Sequence, residues 1–585
     1  MHVARNRRTY VARSGERRVY ESVLVRRTYR DGGKVKHETL ANLSALPDSA
    51  VDAIEAALKG TPLVPAGQAV TITGSLPHGH VAAVAAMAGK LELPALLGPA
   101  CRERDLVLAL IISRVVAPAS KLSTLTWWAD TTLGADLGAA STDDIYAAMD
   151  WLAGRQDAIE KRLAAWHLGP EVNRARMALF DLSSSWLEGS HCPLAARGYS
   201  RDGKKGRLQI EYGLLTDPEG RPVAVRVFPG NTGDPAAFTE IVTVIRGKFG
   251  LAKMVMVGDR GMITSARIAA LNQADDGAEP RGGAYGWITA LRAPAIKKLM
   301  AEGGPLQMSL FDEQNLAEIT SPDYPGERLV ACRNPVLAAD RARTRTELLA
   351  ATEKLLAPLI ARVAAGRLHG AGAIGVEVGK VISKYKTGKH FHVEITGTTL
   401  AVTRNQAQID AEAALDGFYV LRTPLPAAEL DAPGVVTAYK NLRYVERDFR
   451  SIKADDLDLR PVFHRLEERV RAHVLICMLA CYLTWHLRRA WAPLTFTDQD
   501  PPAPTDPVLP ATRSAQAQAK ASYQHDQYGR PYRSFRGLLA HLATLTRNQV
   551  RFAGTAATIP MLAGPTSAQR EAFDLIGAPI PLALK

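Results

Sequence analysis

Cysteine is scarce: the 585 residues hold five, with no Cys-x-x-Cys pair, which excludes a disulfide framework. His473, Cys477 and Cys481 follow one another at i, i+4 and i+8 and would share a helix face, as zinc ligands can. Their neighbours Val474, Leu475, Ile476, Met478 and Leu479 read instead as buried core, where free cysteine is at home. Long apolar runs are lacking too. The most apolar stretch, 474–487, is roughly 14 residues, short of the ~20 that a spanning helix needs, and His473, Thr484 and His486 border or interrupt it. Met1 to Arg8 carry arginines with no apolar run behind them, so no signal peptide is expected. Acids are outnumbered, 59 against 72 Lys and Arg, for a formal net charge of +13. That excess suits a polyanionic partner, nucleic acid or an anionic membrane surface. With no spanning run, the expectation is a soluble cytoplasmic protein, with nucleic acid as its partner and no membrane.

What is present is globular: 47% hydrophobic and 22% charged residues, in a chain long enough for roughly three to five structural units. The first forty residues hold eleven Lys and Arg against Glu16, Glu21, Asp31 and Glu38, more than half of the net charge. Val19 to Val25, followed by Asp31-Gly32-Gly33-Lys34, reads as short strands around a glycine turn. Such a basic ribbon is either a DNA contact or a charged edge hairpin. From Val81 to His167 the periodicity is helical. Leu106, Leu110, Ile111 and Val115 form one stripe, ended by Pro118, and Ser141-Thr142-Asp143-Asp144 marks a helix start. This all-α unit has possible helix-turn-helix character.

At Met177 the texture becomes α/β. Met177 to Phe180 is an apolar strand ending at Asp181. Two strands follow, Leu208 to Leu215 and Val223 to Phe228, around the turn Asp217-Pro218-Glu219-Gly220. Then come a helix from Phe238 to Phe249, a buried strand Met254 to Val257 ending at Gly258-Asp259, and a strand from Tyr285 to Leu291. Three hairpin-connected strands, then alternating helices and strands, is the order of a ribonuclease-H-like fold. Beyond Ala293 the pattern blurs into an inserted domain, with a helix from Arg341 to Ala364, a glycine-rich joint from Gly366 to Gly375 and a strand from Phe391 to Ile395. After Trp491 a proline-rich linker leads to a small helical unit around Leu538 to Leu545. The expected organisation is a basic β segment (1–60), a helical, DNA-binding domain (61–170), an α/β catalytic core in two parts (171–292 and 436–490) split by a large insertion (293–435), and a linker with a C-terminal unit (491–585).

Two strands thus end in aspartate, and a carboxylate just past a buried strand sits where α/β folds gather ligands. Two aspartates from adjacent strands plus a third acid would hold two hard cations for in-line phosphoryl transfer, although either aspartate alone reads as well as a strand cap. The third acid comes from Tyr439-Lys440-Asn441-Leu442-Arg443-Tyr444-Val445-Glu446-Arg447-Asp448-Phe449-Arg450-Ser451-Ile452-Lys453. On one helix Tyr439, Leu442, Glu446, Phe449 and Lys453 would share a face, with the glutamate on metal and the cations on phosphates. An exposed, ion-paired helix is the plainer alternative.

Asp181 in Leu179-Phe180-Asp181, Asp259 in Gly258-Asp259-Arg260-Gly261-Met262, and Glu446 resemble the acids of the DDE transposases of the insertion-sequence-four-like superfamily. Those carry a Tyr-Arg-Glu-Lys signature, spaced Y-x2-R-x3-E-x6-K. Tyr439, Glu446 and Lys453 fit it; Leu442 stands at the arginine position, with Arg443 one residue late and Arg450 a turn past the glutamate. The resemblance spans most of the chain, including the strand 416–421 that leads back to the signature helix.

The resemblance implies a DNA transposase cutting at insertion-sequence ends and joining them to target DNA. Asp181, Asp259 and Glu446 would be the catalytic metal ligands and Tyr439, Arg443, Arg450 and Lys453 the DNA contacts. It further implies two Mg2+ per active site, with Mn2+ able to substitute, and terminal inverted repeats and target DNA as partners. A homodimer on DNA and a nucleoid-associated location are also expected. Relatives release the element through a DNA hairpin, aided by insertion-domain tryptophans that hold a flipped base. This insertion has none, Trp287 lying in the preceding strand, which leaves Tyr385, Phe391 and Tyr419 for the part. The competing readings are a metal-dependent nuclease and a transposase-derived DNA-binding protein without catalysis.

Overall fold

The computed structural model describes residues 1–13, 15–61, 70–251, 253–272, 285–553 and 555–584. It divides into two compact units, one of Met1–His78 with Thr544–Pro565, the other of Gly79–Ala543 with Thr566–Lys585. This division differs from the expected one. Residues 62–69, at the start of the expected helical domain, lie outside the described residues; the next element is a strand, and the helices begin at Gly79.

In the first unit β1 (His2–Val11), β2 (Arg17–Asp31) and β3 (Lys34–Asn42) form an antiparallel sheet. The expected glycine turn is there: Gly32 and Gly33, at φ +55° and +80°, join β2 to β3. One helix, Asp48–Leu58, supplies the little core the sheet has, Val51 packing with Val25 and Leu43. Otherwise the ribbon stands in solvent. Among the described residues Arg8, Arg13, Arg17, Arg30 and Lys34 are exposed and make no ion pair. β4 (Val70–Pro77) belongs to a second small sheet, whose other strands come from the far end of the chain.

The second unit is built on an eight-stranded sheet. Its strands are β5 (Met177–Trp186), β6 (Gln209–Thr216), β7 (Pro222–Pro229), β8 (Val255–Val257), β9 (Gly286–Ala290), β10 (Leu316–Ile319), β11 (Arg328–Arg333) and, after the insertion hairpin of β12 (Phe391–Ile395) and β13 (Leu400–Arg404), β14 (Phe418–Thr423). They stand in the order β10-β11-β14-β9-β8-β5-β6-β7. β5, β6 and β7 are antiparallel neighbours, whereas β8 and β9 run parallel to β5. β6 is buried along its whole length and β5 along nearly all of it. β10, β11 and β14 lie within the expected insertion yet extend the core sheet. The rest of that segment, helices Pro335–Ala364 and Ala371–Lys384 with β12 and β13, gathers its own core around Leu356, Leu359, Val363, Ile374, Val378 and Leu400.

Helix Glu467–Ala490 packs on β7 and on helices Arg102–Val116 and Thr142–Ala153. It is long and apolar enough to cross a membrane, but 83% of its apolar window is buried inside the protein, so it reads as a core helix. His473, Cys477 and Cys481 are all buried in it, and burial pushes the histidine below and both thiols above their ordinary ranges. His473 is tied to Leu459 O at 3.2 Å and Lys121 Nζ at 3.3 Å, as a core residue would be. The helix start at Ser141 is a full capping box with Asp144. From the C-terminal segment, β15 (Thr546–Phe552) and β16 (Thr558–Leu562) complete the small sheet, β15 pairing with both β4 and β16. The last helix, Ser567–Ile576, returns to the second unit, where Ala572 O accepts the Trp491 indole N–H at 2.9 Å.

Candidate active site

The parallel pairing of β5 with β8 sets Leu179 opposite Val257. Asp181 and Asp259 each lie two residues further on, where the β5–β8 pairing has ended, Asp181 still inside β5 and Asp259 in the loop, near enough for the Asp259 charge to act on Asp181. Asp181 is the one residue that is not fully buried in the run from Met177 to Ser185. Its Oδ1 accepts the Leu182 N–H at 2.8 Å. Burial drives its carboxyl up to about 7, and the negative fields of Asp259 and Glu446 add to this, against the Leu182 bond and the Arg201 guanidinium. Asp259 is exposed in the loop after β8, its Oδ1 fixed by the N–H groups of Gly261 at 2.5 Å and Met262 at 3.1 Å.

Glu446 stands exposed on helix Leu442–Arg450, which packs on β5 and β6 through Val445 and Phe449. The Phe449 ring meets Tyr212 edge-on at 5.7 Å. The β6–β7 turn closes against the same helix. Gly220 sits there at φ +83°, and a Cβ on it would stand 2.5 Å from Tyr444 Cβ, so only glycine suits the position. Tyr439, half-buried on the preceding helix Ala432–Lys440, senses all three acids. Burial raises its hydroxyl to about 12, helped by Asp259, Asp181 and Glu446 and opposed by Arg260.

The single helix face expected from Tyr439 to Lys453 does not form. Asn441 separates the two helices, and a π-helical turn, Ser451–Asp455, follows Arg450. One extra residue in the hydrogen-bonded ring rotates the side chains of that turn away from the α-helical face. Lys453 is accordingly buried, its Nζ 2.9 Å from Asp202 Oδ1, a carboxylate that also takes Arg460 at 2.6 Å. In this state it is committed to a carboxylate and is not an open cation for phosphate. Arg443 and Arg450 are exposed; Arg443 lies over the Tyr444 ring, and Arg450 makes no ion pair among the described residues. Asp448, two residues past Glu446, turns inward: it is 3% exposed, and burial pushes its carboxyl up to about 7 despite Arg447. Of the insertion aromatics, Phe391 packs with Leu349 and Ile409, and the Tyr419 hydroxyl is buried beside Cys332. Tyr385 lines a cavity of about 490 Å3 with Arg341, Lys386 and Lys389.

A second charged group was not anticipated. Arg201, in the loop between β5 and β6, pairs with Glu211 at 3.1 Å and with Asp234, and its backbone N–H donates to Ser184 Oγ at 2.9 Å. Glu211 is 2% exposed, its carboxyl pushed up to about 7 by burial against the pull of Arg201. A lone charged residue inside the fully buried strand Gln209–Thr216 was the available signal. Among the described residues no three acids, histidines or cysteines are close enough together to hold a metal ion as they stand. The donor chemistry nonetheless suits a hard cation. Asp181 is a largely buried carboxylate with one hydrogen-bond donor from its own neighbour and two further acids in its field.

Residues 8–63, from β1 through helix Asp48–Leu58, match the family model of the IS1634 family transposase N-terminal domain. That match supports an insertion-sequence transposase. No curated protein matches the chain. Among solved structures it is similar to a piggyBac transposase synaptic complex with hairpin DNA, at 10% identity, over 79% of this chain and 76% of that one, with a TM-score of 0.31. A likeness that loose carries no argument.

Proposed function

We propose that this chain is an insertion-sequence transposase of the DDE type, cutting DNA at the ends of its element and joining them to target DNA by two-metal phosphoryl transfer. The observation that carries the reading is the juxtaposition of acids: Asp181 on β5 and Asp259 just past the parallel strand β8, with Glu446 acting on both Asp181 and Tyr439. The strand order β7-β6-β5-β8-β9, antiparallel then parallel, supports a ribonuclease-H-like core. In this reading Asp181, Asp259 and Glu446 hold Mg2+, with Mn2+ as substitute. Bound there, Mg2+ would supply Lewis-acid polarisation of the scissile phosphate and of the attacking water or 3′-hydroxyl.

The protein's own part is placement. The Gly261 and Met262 N–H groups orient the Asp259 carboxylate, and burial keeps water from the flank of Asp181. Arg443 and Arg450 offer exposed charge to the DNA backbone beside the Glu446 helix, where phosphate contacts position without reading bases. The basic sheet β1–β3 supplies sequence-independent affinity. Two ends and two cuts favour a homodimer on DNA.

The test is to incubate the purified chain with its candidate terminal repeats, target DNA and Mg2+. Joined products are expected. Cutting alone would mean a metal-dependent nuclease, and binding alone a DNA-binding protein without catalysis.

A further inference from the structure

Beside Asp259 stands a second pair of carboxylates to which the proposed reaction gives no part. Glu211 lies on β6 opposite Ser184 of β5. One of its oxygens is 3.1 Å from Arg201, while Oε2 is buried with no hydrogen-bond partner among the described residues. Asp234 opens helix Asp234–Thr243 and pairs with the same guanidinium. Gly261 links this pair to Asp259: a Cβ there would stand 3.1 Å from Asp259 Oδ1 and 3.2 Å from Asp234 Oδ2. Glu211, Asp234 and Arg201 line a cavity of about 420 Å3 that shares Gly261 and Arg292 with the open space in front of Asp259. Three carboxylates therefore border two adjoining cavities, and Arg201 is the cation paired with two of them, Arg260 and Arg292 also standing on the lining.

Arg201 is firmly held there. Ser184 Oγ fixes its backbone N–H, and the next residue, Asp202, is pinned by Lys453 and Arg460. Carboxylates brought together away from water need a counter-charge. A planar guanidinium meets that need in two directions at once, and a tethered one is always present.

We propose that Glu211, Asp234 and Asp259 form a latent divalent-cation site, kept closed by Arg201 as a resident counter-ion. The inference rests on the metal-dependent reading of Asp259. Arg201 thereby confines added metal to the side of Asp181 and Glu446, and the oxygen-only donor set of the latent site suits Mg2+ or Mn2+.

Mn2+ bound to the full chain without DNA, counted by electron paramagnetic resonance of the free ion, tests this. Arg201→Met is expected to bind one more Mn2+ per chain than the wild type, at least tenfold more tightly than any weak wild-type binding at that position. Arg201→Lys, which keeps the charge, should leave the count unchanged. Adding Glu211→Gln and Asp234→Asn to Arg201→Met should abolish the gain. Arg201→Gln, uncharged but still able to donate hydrogen bonds, should show the same gain and is the variant to read should Arg201→Met lose its thermal transition. A folded Arg201→Met or Arg201→Gln with the wild-type count overturns the proposal. A wild-type chain that binds no Mn2+, with the gain intact in Arg201→Met, would sink the metal reading at Asp181 and Glu446 and leave this one standing.

Discussion

At the scale of single residues, helix Leu442–Arg450 carries two acids with opposite fates. Glu446 points to solvent beside the aspartates, and Asp448 is turned into the core. Asp181→Asn, Asp259→Asn and Glu446→Gln are each expected to lower cleavage of a labelled element end by about 10³-fold or more, the loss of several kcal/mol of charge stabilisation. Binding in a gel shift should stay near wild type, because the acids are not phosphate contacts. Near-normal cutting by any one of them would remove that acid from the site. Asp448 makes a different prediction. Held at about 7 against an ordinary 3.8, it keeps its proton when folded and loses it on unfolding between those values. The folded state then binds more protons, so stability falls as pH rises from about 4 to about 7 and is flat beyond. Asp448→Asn should therefore stabilise the protein at pH 8, by roughly 1–3 kcal/mol, and little at pH 4. Thermal melts at the two pH values will show it, and an equal effect at both would contradict the assignment.

Elements decide what a side chain can reach. Spacing alone puts Lys453 on the glutamate's face of a regular helix; the π turn at Ser451–Asp455 is a local departure with no sequence mark, and it delivers Lys453 to Asp202. Lys453→Ala is thus expected to leave Asp202 with Arg460 as its one paired cation and to cost on the order of 3 kcal/mol in denaturant unfolding. The salt dependence of DNA binding should not change; a flatter salt slope with unchanged stability would restore the phosphate contact. The basic sheet makes the converse prediction. Replacing Arg8, Arg17, Arg30 and Lys34 by glutamine should weaken binding to every DNA sequence and reduce the salt slope by about 0.9 for each phosphate that is no longer neutralised. A thermal transition that barely moves should accompany this, since these side chains pack against little. An unchanged slope would make the sheet a charged edge and nothing more. Much of the site was legible: Asp259 just past β8, the glutamate helix and the turn at Gly220 each have a local signature, whereas the strand expected to end at Asp181 runs on to Trp186. Arg201, Glu211 and Asp234 come from a loop, a strand interior and a helix start, and no spacing rule joins them.

On the scale of the whole molecule, the least legible feature is the sheet of β4, β15 and β16. Local patterning reads residues 61–170 as helical and the tail as a small helical unit, so neither the strand at Val70 nor its pairing with Thr546–Phe552 has a mark there. Truncation before Thr544 should leave β4 with no partner strand among the described residues and deprive the Trp491 indole of Ala572 O. Amide exchange at Val70–Pro77 is expected to rise towards that of unstructured chain while β1–β3, paired among themselves, stay protected. The second unit, losing buried Phe573 and Ile576, should melt earlier. Persistent protection of β4 would show that something else covers it.

That pairing also sets a clock. Thr73 and Gln549, hydrogen-bonded across the sheet, are 476 residues apart. At roughly 5–20 residues per second of synthesis, β4 emerges from the ribosome on the order of half a minute to a minute and a half before its partner exists. Throughout that interval β1–β3, paired among themselves, can already fold, while the sheet that shares their unit is still one bare strand.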